Sequence, residues 1–303
     1  MKEFAKKFKA SLPGYLMVMP LYIGLIIFAF YPPIYGFLLS LFKTNPGESK
    51  TIFCGFDNYV RLFNDKIFLN SIPTMLILMI PKLIISIIIP FIVAEMIFSV
   101  KSKKLQETYR FLLLLPMLAP GVVGTLIWKS VYDPDGGLLT AILRLFSIIE
   151  KNAKIDWLGD SRYVIFSIIF LGFPWIGGTN VLIYLAGLYN IPKDVIESAT
   201  LDGASIIRRI FAIDLPYLFG QIRFFLIFGI INGLQDYSIQ ILLTNGGPGY
   251  SSYVPGYYMY HQAFMYNNKY YASAIGFAIS IIILVFTVAT NLISKRREKK
   301  IEV

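Results

Sequence analysis

Apolar residues run along this chain in long blocks divided by short polar stretches. An α-helix rises about 1.5 Å per residue, so about 20 apolar residues cross the ~30 Å hydrocarbon core of a bilayer. Blocks of that order lie at residues 15–42, 72–98, 111–131, 163–188, 224–243 and 272–293, and each predicts a membrane-crossing helix. Prolines sit inside several: Pro32 and Pro33 in the first, Pro81 and Pro90 in the second, Pro116 and Pro120 in the third. Proline has no N–H to donate and crowds the carbonyl four residues earlier, so kinks are expected where neighbours or water satisfy the freed group. After a turn built from Pro134, Gly136 and Gly137, residues 138–149 carry apolar groups at helical spacing, which predicts an interfacial helix. The chain shows no internal repeat and no low-complexity linker. The expectation is one membrane domain over 15–294, a segment at 1–14 and a basic tail at 295–303.

Composition agrees with this reading, at 56% hydrophobic and 15% charged residues, against about 25% charged in ordinary soluble domains. The net charge of +10 raises the question of nucleic acid, and the placement of the basic residues answers it. With the N-terminus inside, the inner segments hold 16 Lys/Arg, among them Lys101, Lys103, Lys104, Arg110, Lys193, Arg208 and Arg209, and the outer loops hold nine. That excess favours cytoplasmic N- and C-termini and makes the charge a record of topology, with no nucleic-acid partner. The fold class expected is therefore an all-α membrane protein with six transmembrane helices. The apolar stretch after MKEFAKKFK is longer than a signal-peptide core and lacks a small-residue cleavage site, so it is read as the first span. Two basic residues remain within spans: Arg223 near an end, and Lys82, deeper, open to a functional role or to snorkelling and helix pairing.

The stretch 191–218, IPKDVIESATLDGASIIRRIFAIDLPYL, is too polar for lipid. Pro192 before a run of helix formers predicts a helix from about Lys193. Ala199, Gly203, Ile206 and Ile210 recur at steps of three and four, Gly203 permits a backbone turn, and Pro216 ends the excursion. The pattern describes a helical knob between the fourth and fifth spans. Periodicity alone favours an amphipathic helix lying on the membrane surface.

Glu197, Ser198 and Ala199, then Asp202, Gly203 and Ala204, then Ile213, Leu215 and Pro216 resemble the EAA loop of importer permeases of the ATP-binding-cassette superfamily. Ser198 stands where the family usually has alanine, a change between small side chains. The stretches AGLYNIPKDVIESATLDGAS, LLTNGGPGYSSYVPGYYMYHQAF, FAFYPPIYGFLLSLF, GFDNYVRLF and VYDPDGGLLTAILRLF extend the resemblance over most of the chain, toward the sugar permeases of the maltose and glycerol-phosphate type, first partner of the pair. The resemblance implies a type I importer permease fold in a bacterial inner membrane. It also implies that the loop docks on an ATPase dimer, and that a second homologous permease, an extracytoplasmic solute-binding protein and a sugar complete the system.

No Gly-x-x-x-x-Gly-Lys-Ser/Thr loop, His-Glu zinc motif or nucleophile elbow occurs, so no catalytic residue, cofactor or metal is expected. Cys54 and His261 are the sole residues of their types, which leaves no disulfide framework or Cys/His metal cluster within the chain. Polar groups inside apolar spans are the candidates for a substrate path: Trp175, Asn180 and Tyr184 in the fourth, Asn232, Gln235, Asp236 and Gln240 in the fifth. Amides and carboxylates suit sugar hydroxyls, and aromatic faces suit the C–H surface of a ring. Hydrogen bonding between helices accounts for the same residues equally well. The Asn245–Gly249 turn and the tyrosines after it fit a lipid-anchoring belt or a contact with the binding protein. A permease for glycerol phosphate or another small solute, a secondary transporter, and a membrane scaffold are the alternatives.

Overall fold

The computed structural model describes residues 2–44 and 50–301, with side chains for 12–44 and 50–290. The basic side chains expected in the terminal segments, at 1–11 and 291–303, lie outside the described residues. The chain is mostly helical and gathers into two compact units, Met1–Asp65 with Met259–Ser280, and Lys66–Tyr258 with Ile281–Val303.

In the first unit, α1 (Lys2–Leu25) runs through a π-turn at Ile26–Phe30 into α2 (Tyr31–Ser40). Pro32 and Pro33 closely follow that π-turn, so the widened turn stands where the chain lacks two N–H donors. A short antiparallel hairpin follows, β1 (Phe42–Thr44) and β2 (Thr51–Phe53), with Lys43 opposite Ile52. Buried Asn58, on α3 (Asp57–Asn64), donates from Nδ2 to the carbonyls of Ser40 at 2.7 Å and Phe42 at 2.8 Å, capping the end of α2. The Tyr271 hydroxyl donates to Asp65 at 2.7 Å, and the Arg61 guanidinium stacks 4.0 Å from the centroid of the same ring.

The second unit is built around α4 (Lys66–Phe98), a continuous 33-residue helix despite Pro73, Pro81 and Pro90. Pro90 cannot bond the Ser86 carbonyl four residues back, and Asn180 Nδ2 donates to that oxygen at 3.1 Å. Next come α5 (Lys103–Leu114), a 3₁₀ turn at Leu115–Leu118 and α6 (Gly121–Val131), bent by 86°. Ala119 is extended at ψ 134°, the conformation favoured before a proline, so the third expected span is a sharply broken one. The expected interfacial helix appears as α7 (Leu138–Leu145), shorter than predicted, since Ser147 adopts a positive φ of 55°. Asp133 closes the turn before it, and the Asp135 and Gly136 amides hold its carboxyl below the usual carboxylate range. Buried Trp157 donates to Thr140 of α7 at 2.8 Å.

The fourth expected span is not one helix. It divides into α8 (Val164–Phe170) and α9 (Gly178–Tyr189). Between them Gly172 takes φ 87°, Trp175 takes φ 59°, and Pro174 withholds a donor, so the i→i−4 ladder cannot continue. Gly178 is a packing glycine: a Cβ there would strike the Leu113 carbonyl of α5. Among the described residues three helices are long and apolar enough to cross a membrane, Leu12–Ser40, Lys66–Phe98 and Lys269–Thr290, and two bent pairs raise the number to as many as five by length and composition.

The loop region contains α10 (Lys193–Leu201), α11 (Ile206–Arg209), a π-turn and α12 (Leu215–Tyr217). It leads into α13 (Phe219–Gln235) at a bend of 67°. α13 approaches α4 closely at Gly229 and Gly233, where added Cβ atoms would meet Leu83 and Met79, a small-residue spacing of the kind membrane helices use. α14 (Pro255–Tyr260) and α15 (Lys269–Ile301) complete the chain.

Candidate functional site

α4, α9 and α13 of the second unit line a half-open cavity of about 740 Å³, inside the ~300–1,000 Å³ range of small-ligand sites. Its polar lining includes Asn180, Asn232, Gln235, Asp236 and Gln240, five of the residues that sequence reasoning assigned to a path. α13 ends at Asp236, whose backbone turns extended at ψ 127°. Its Oδ1 accepts from Ser238 N at 3.1 Å and Ser238 Oγ at 2.6 Å, so the carboxylate caps the turn that follows. Gln240 is buried and its Oε1 has no hydrogen-bond partner. Asn180 serves two ends, since the side chain that lines the cavity also satisfies Ser86.

Trp175 and Tyr184 are not among the lining residues. Tyr184 is fully buried between Phe91 and Phe225, at ring centroids 5.7 and 4.9 Å, and its hydroxyl has no partner. Trp175 packs edge-on against Phe170 and Phe173 in the break between α8 and α9. The cavity also takes in Lys82, Phe224 and Phe228. The depth of Lys82 in its span was the sequence signal for it, whereas the phenylalanines carried none that set them apart from other apolar positions.

The 191–218 segment is a hairpin of short helices. α10 begins at Lys193, directly after Pro192. At its end the Gly203 N–H bonds the Thr200 carbonyl at 3.1 Å and the Ala204 N–H bonds the Ala199 carbonyl at 2.9 Å, a Schellman closure. The closure needs a left-handed residue, and Gly203 supplies φ 68° with open space around it. Ser205 then caps α11, its hydroxyl accepting from Arg208 N at 3.3 Å. The inner face, Val195, Ile196 and Ile213, packs on a core of Ala94, Tyr184, Leu188 and Leu218. Leu201, Ile206, Ile207 and Phe211 stay exposed on the hairpin, while Glu197 and Ser198 are outward-facing beside them. Asp194, Ser198, Ala199, Asp202 and Ile213 line a shallow groove. Leu215 and Pro216 form the short α12 at the bend into α13.

Sequence reasoning did not find the charged cluster beneath the hairpin. Arg209 donates from Nε to Asp214 at 2.9 Å and from an Nη to Glu95 of α4 at 3.1 Å, and lies 5.4 Å from the Phe98 ring centroid. Both carboxylates are buried. Among the described residues no group of His, Cys, Asp and Glu is placed to hold a metal ion.

Residues 56–302 match the family described as binding-protein-dependent transport system inner membrane component. The arabinooligosaccharides transport system permease protein AraP of Bacillus subtilis is 30% identical over 274 residues, 89% of this chain and 85% of its own. The sn-glycerol-3-phosphate transport system permease protein UgpA of Escherichia coli O157:H7 is 27% identical, covering 93% of each chain. A bacterial alginate ABC transporter, solved in complex with an alginate pentasaccharide-bound periplasmic protein, contains a chain of the same fold, with TM-score 0.83, 24% identity and 96% of each chain covered. A chain of broken and continuous apolar helices that carries the EAA-type loop and matches this family over most of its length is an inner-membrane permease component of the binding-protein-dependent ABC importers, and belongs to that family.

Proposed function

We propose that the chain forms half of the transmembrane pathway of a sugar or oligosaccharide importer and receives its driving motion through the 191–218 hairpin. The observation that carries the pathway is the 740 Å³ cavity, with amides, a carboxylate and aromatic rings on one wall set. Hydroxyl groups bond to the first two, and sugar C–H faces pack on the third. The AraP likeness favours the same solute class. In this reading both termini are cytoplasmic and six spans form the domain 15–294, with the α8–α9 pair as a broken fourth span. α13 with the turn at Gln240–Thr244 is then the fifth.

The hairpin docks on a separate ATPase dimer through Glu197, Ser198, Ala199, Asp202, Gly203 and Ala204, while Ile213, Leu215 and Pro216 hold it to the bundle. Its four exposed apolar side chains suit a protein partner. The chain itself is non-catalytic and lacks any phosphate-cradling loop. A second permease and an extracytoplasmic binding protein complete the assembly; the alginate transporter of the same fold was solved with a periplasmic protein, which supports the second of these.

Gly203→Val tests the docking. A β-branched residue at φ 68° costs about 1–2 kcal/mol and refolds the hairpin tip without a steric clash. The ATPase subunit is expected to be lost on co-purification, with ATP-driven uptake abolished, while the permease still reaches the membrane. Full assembly and uptake in the variant would refute the docking role.

A further inference from the structure

Lys82 lies at the midpoint of the 33-residue α4, about 15 Å at 1.5 Å per residue from Ile72, the nearer limit of the apolar block. Its four-carbon stem spans only a fraction of that distance, so it cannot snorkel to an interface. A lysine held at such depth requires a polar neighbourhood. It has one in the cavity it lines with Ser86, Asn180, Asn232 and Asp236, and the Asp236 carboxylate acts on it electrostatically. Asp236 and Lys82 are the two ionisable groups in the lining, and their charges cancel.

We propose that Lys82 is a specificity-determining residue of the pathway, set against Asp236 so that the cavity admits uncharged, hydroxyl-rich solutes and disfavours anionic ones. The proposal rests on the reading of this cavity as the solute path. A hydroxyl can accept from the ammonium and donate to the carboxylate, leaving the balance of charge in the lining unchanged. An anionic sugar or phosphate ester would draw Lys82 to itself and bring a second negative charge into the cavity that Asp236 lines, which is unfavourable. Gln240 Oε1, buried without a partner on the same wall, is a further acceptor for a solute hydroxyl. Phe224 and Phe228, with ring centroids 4.5 Å apart, supply an apolar face beside it.

The charge balance can be read without transport. In the assembled transporter in membranes, Cys54→Ser removes the sole native thiol and Asn232→Cys places one in the cavity wall. Labelling rates are compared for methanethiosulfonate reagents of matched size, one carrying trimethylammonium and one sulfonate, each normalised to a free thiol. The parent is expected to show a ratio near one. Lys82→Met should raise the cation-over-anion ratio by roughly tenfold, Asp236→Asn should lower it by a similar factor, and Lys82→Arg should leave it near the parent. Ratios unmoved by both Lys82→Met and Asp236→Asn overturn the proposal.

Uptake with Asn232 intact then separates the two claims. Asp236→Asn should shift preference from a neutral trisaccharide toward its carboxylated analogue by roughly tenfold. Shifted labelling with unshifted preference would refute the solute-path reading and the selectivity built on it, and would leave the charge balance established.

Discussion

Replacing Arg209 by alanine removes the one cation between two buried carboxylates. The guanidinium stands 3.1 Å from Glu95 and 2.9 Å from Asp214, whose side chains are 6% and 0% exposed. Each carboxylate also has an oxygen with no hydrogen-bond partner, Glu95 Oε1 and Asp214 Oδ1, so the donor left to them without Arg209 is a proton shared between the two acids. Breaking a buried ion pair by deleting one member costs about 3–5 kcal/mol, most of it the desolvation of the charge left behind. The loss of the Phe98 contact adds about 0.5–1 kcal/mol. Arg209→Lys should recover only part of the loss, because an ammonium cannot reach both acids with the geometry of a planar fork. The triple variant Glu95→Gln, Arg209→Met, Asp214→Asn leaves no charge to strand and should lie within about 2 kcal/mol of the parent. The assay is unfolding of the purified protein in mixed micelles by added sodium dodecyl sulfate, followed by circular dichroism, with hydrogen exchange reporting on residues 206–218. If Arg209→Ala costs under about 1 kcal/mol, or the triple variant is as unstable as the single one, stranded charge is not what holds this cluster together.

Asn180→Ala should cost about 1–3 kcal/mol by orphaning the Ser86 carbonyl, and Pro90→Ala, which restores an N–H to that carbonyl, should recover most of it in a double-mutant cycle read by the same unfolding assay. Equal costs of Asn180→Ala in both backgrounds would refute the link. Tyr184→Phe removes a buried hydroxyl that has no partner, and is expected to leave stability equal to or up to about 1 kcal/mol above the parent, with uptake unchanged. A loss of uptake at constant assembly would return Tyr184 to the path.

Hydropathy located the continuous helices because transfer into lipid is additive along a segment. The first, second and sixth blocks appear as helices with limits near those expected, Leu12–Ser40, Lys66–Phe98 and Lys269–Thr290. The same additivity hid the break at Leu171–Gly177. Gly172, Pro174 and Gly177 are apolar enough to pass as part of a span, yet they interrupt the backbone ladder, which hydropathy does not weigh. The hairpin was legible for the opposite reason, since Pro192 at its start and Gly203 at its turn act through φ and are local by nature. Cavity membership was legible only in part. Asn180, Asn232, Gln235, Asp236 and Gln240 share a wall, while Tyr184, one turn from Asn180, faces a packed core. Which side of a helix faces a void depends on the neighbours it packs against, and no local pattern in an all-apolar helix encodes it.

The cluster at Arg209 went unread because its members are far apart in sequence, with 114 positions between Arg209 and Glu95. Yet it joins the two parts of the site. Glu95 and Lys82 lie 13 positions apart on the same unbroken α4, about 20 Å along one axis. One end of that stretch is held by the hairpin through Arg209, and the other lines the cavity opposite Asp236. A force on the hairpin must therefore either carry α4 with it or separate Arg209 from Glu95, and the second course leaves a buried acid unpaired. The cost of that separation favours movement of hairpin and helix together, so that a displacement at the proposed docking surface reaches the cavity wall through one helix.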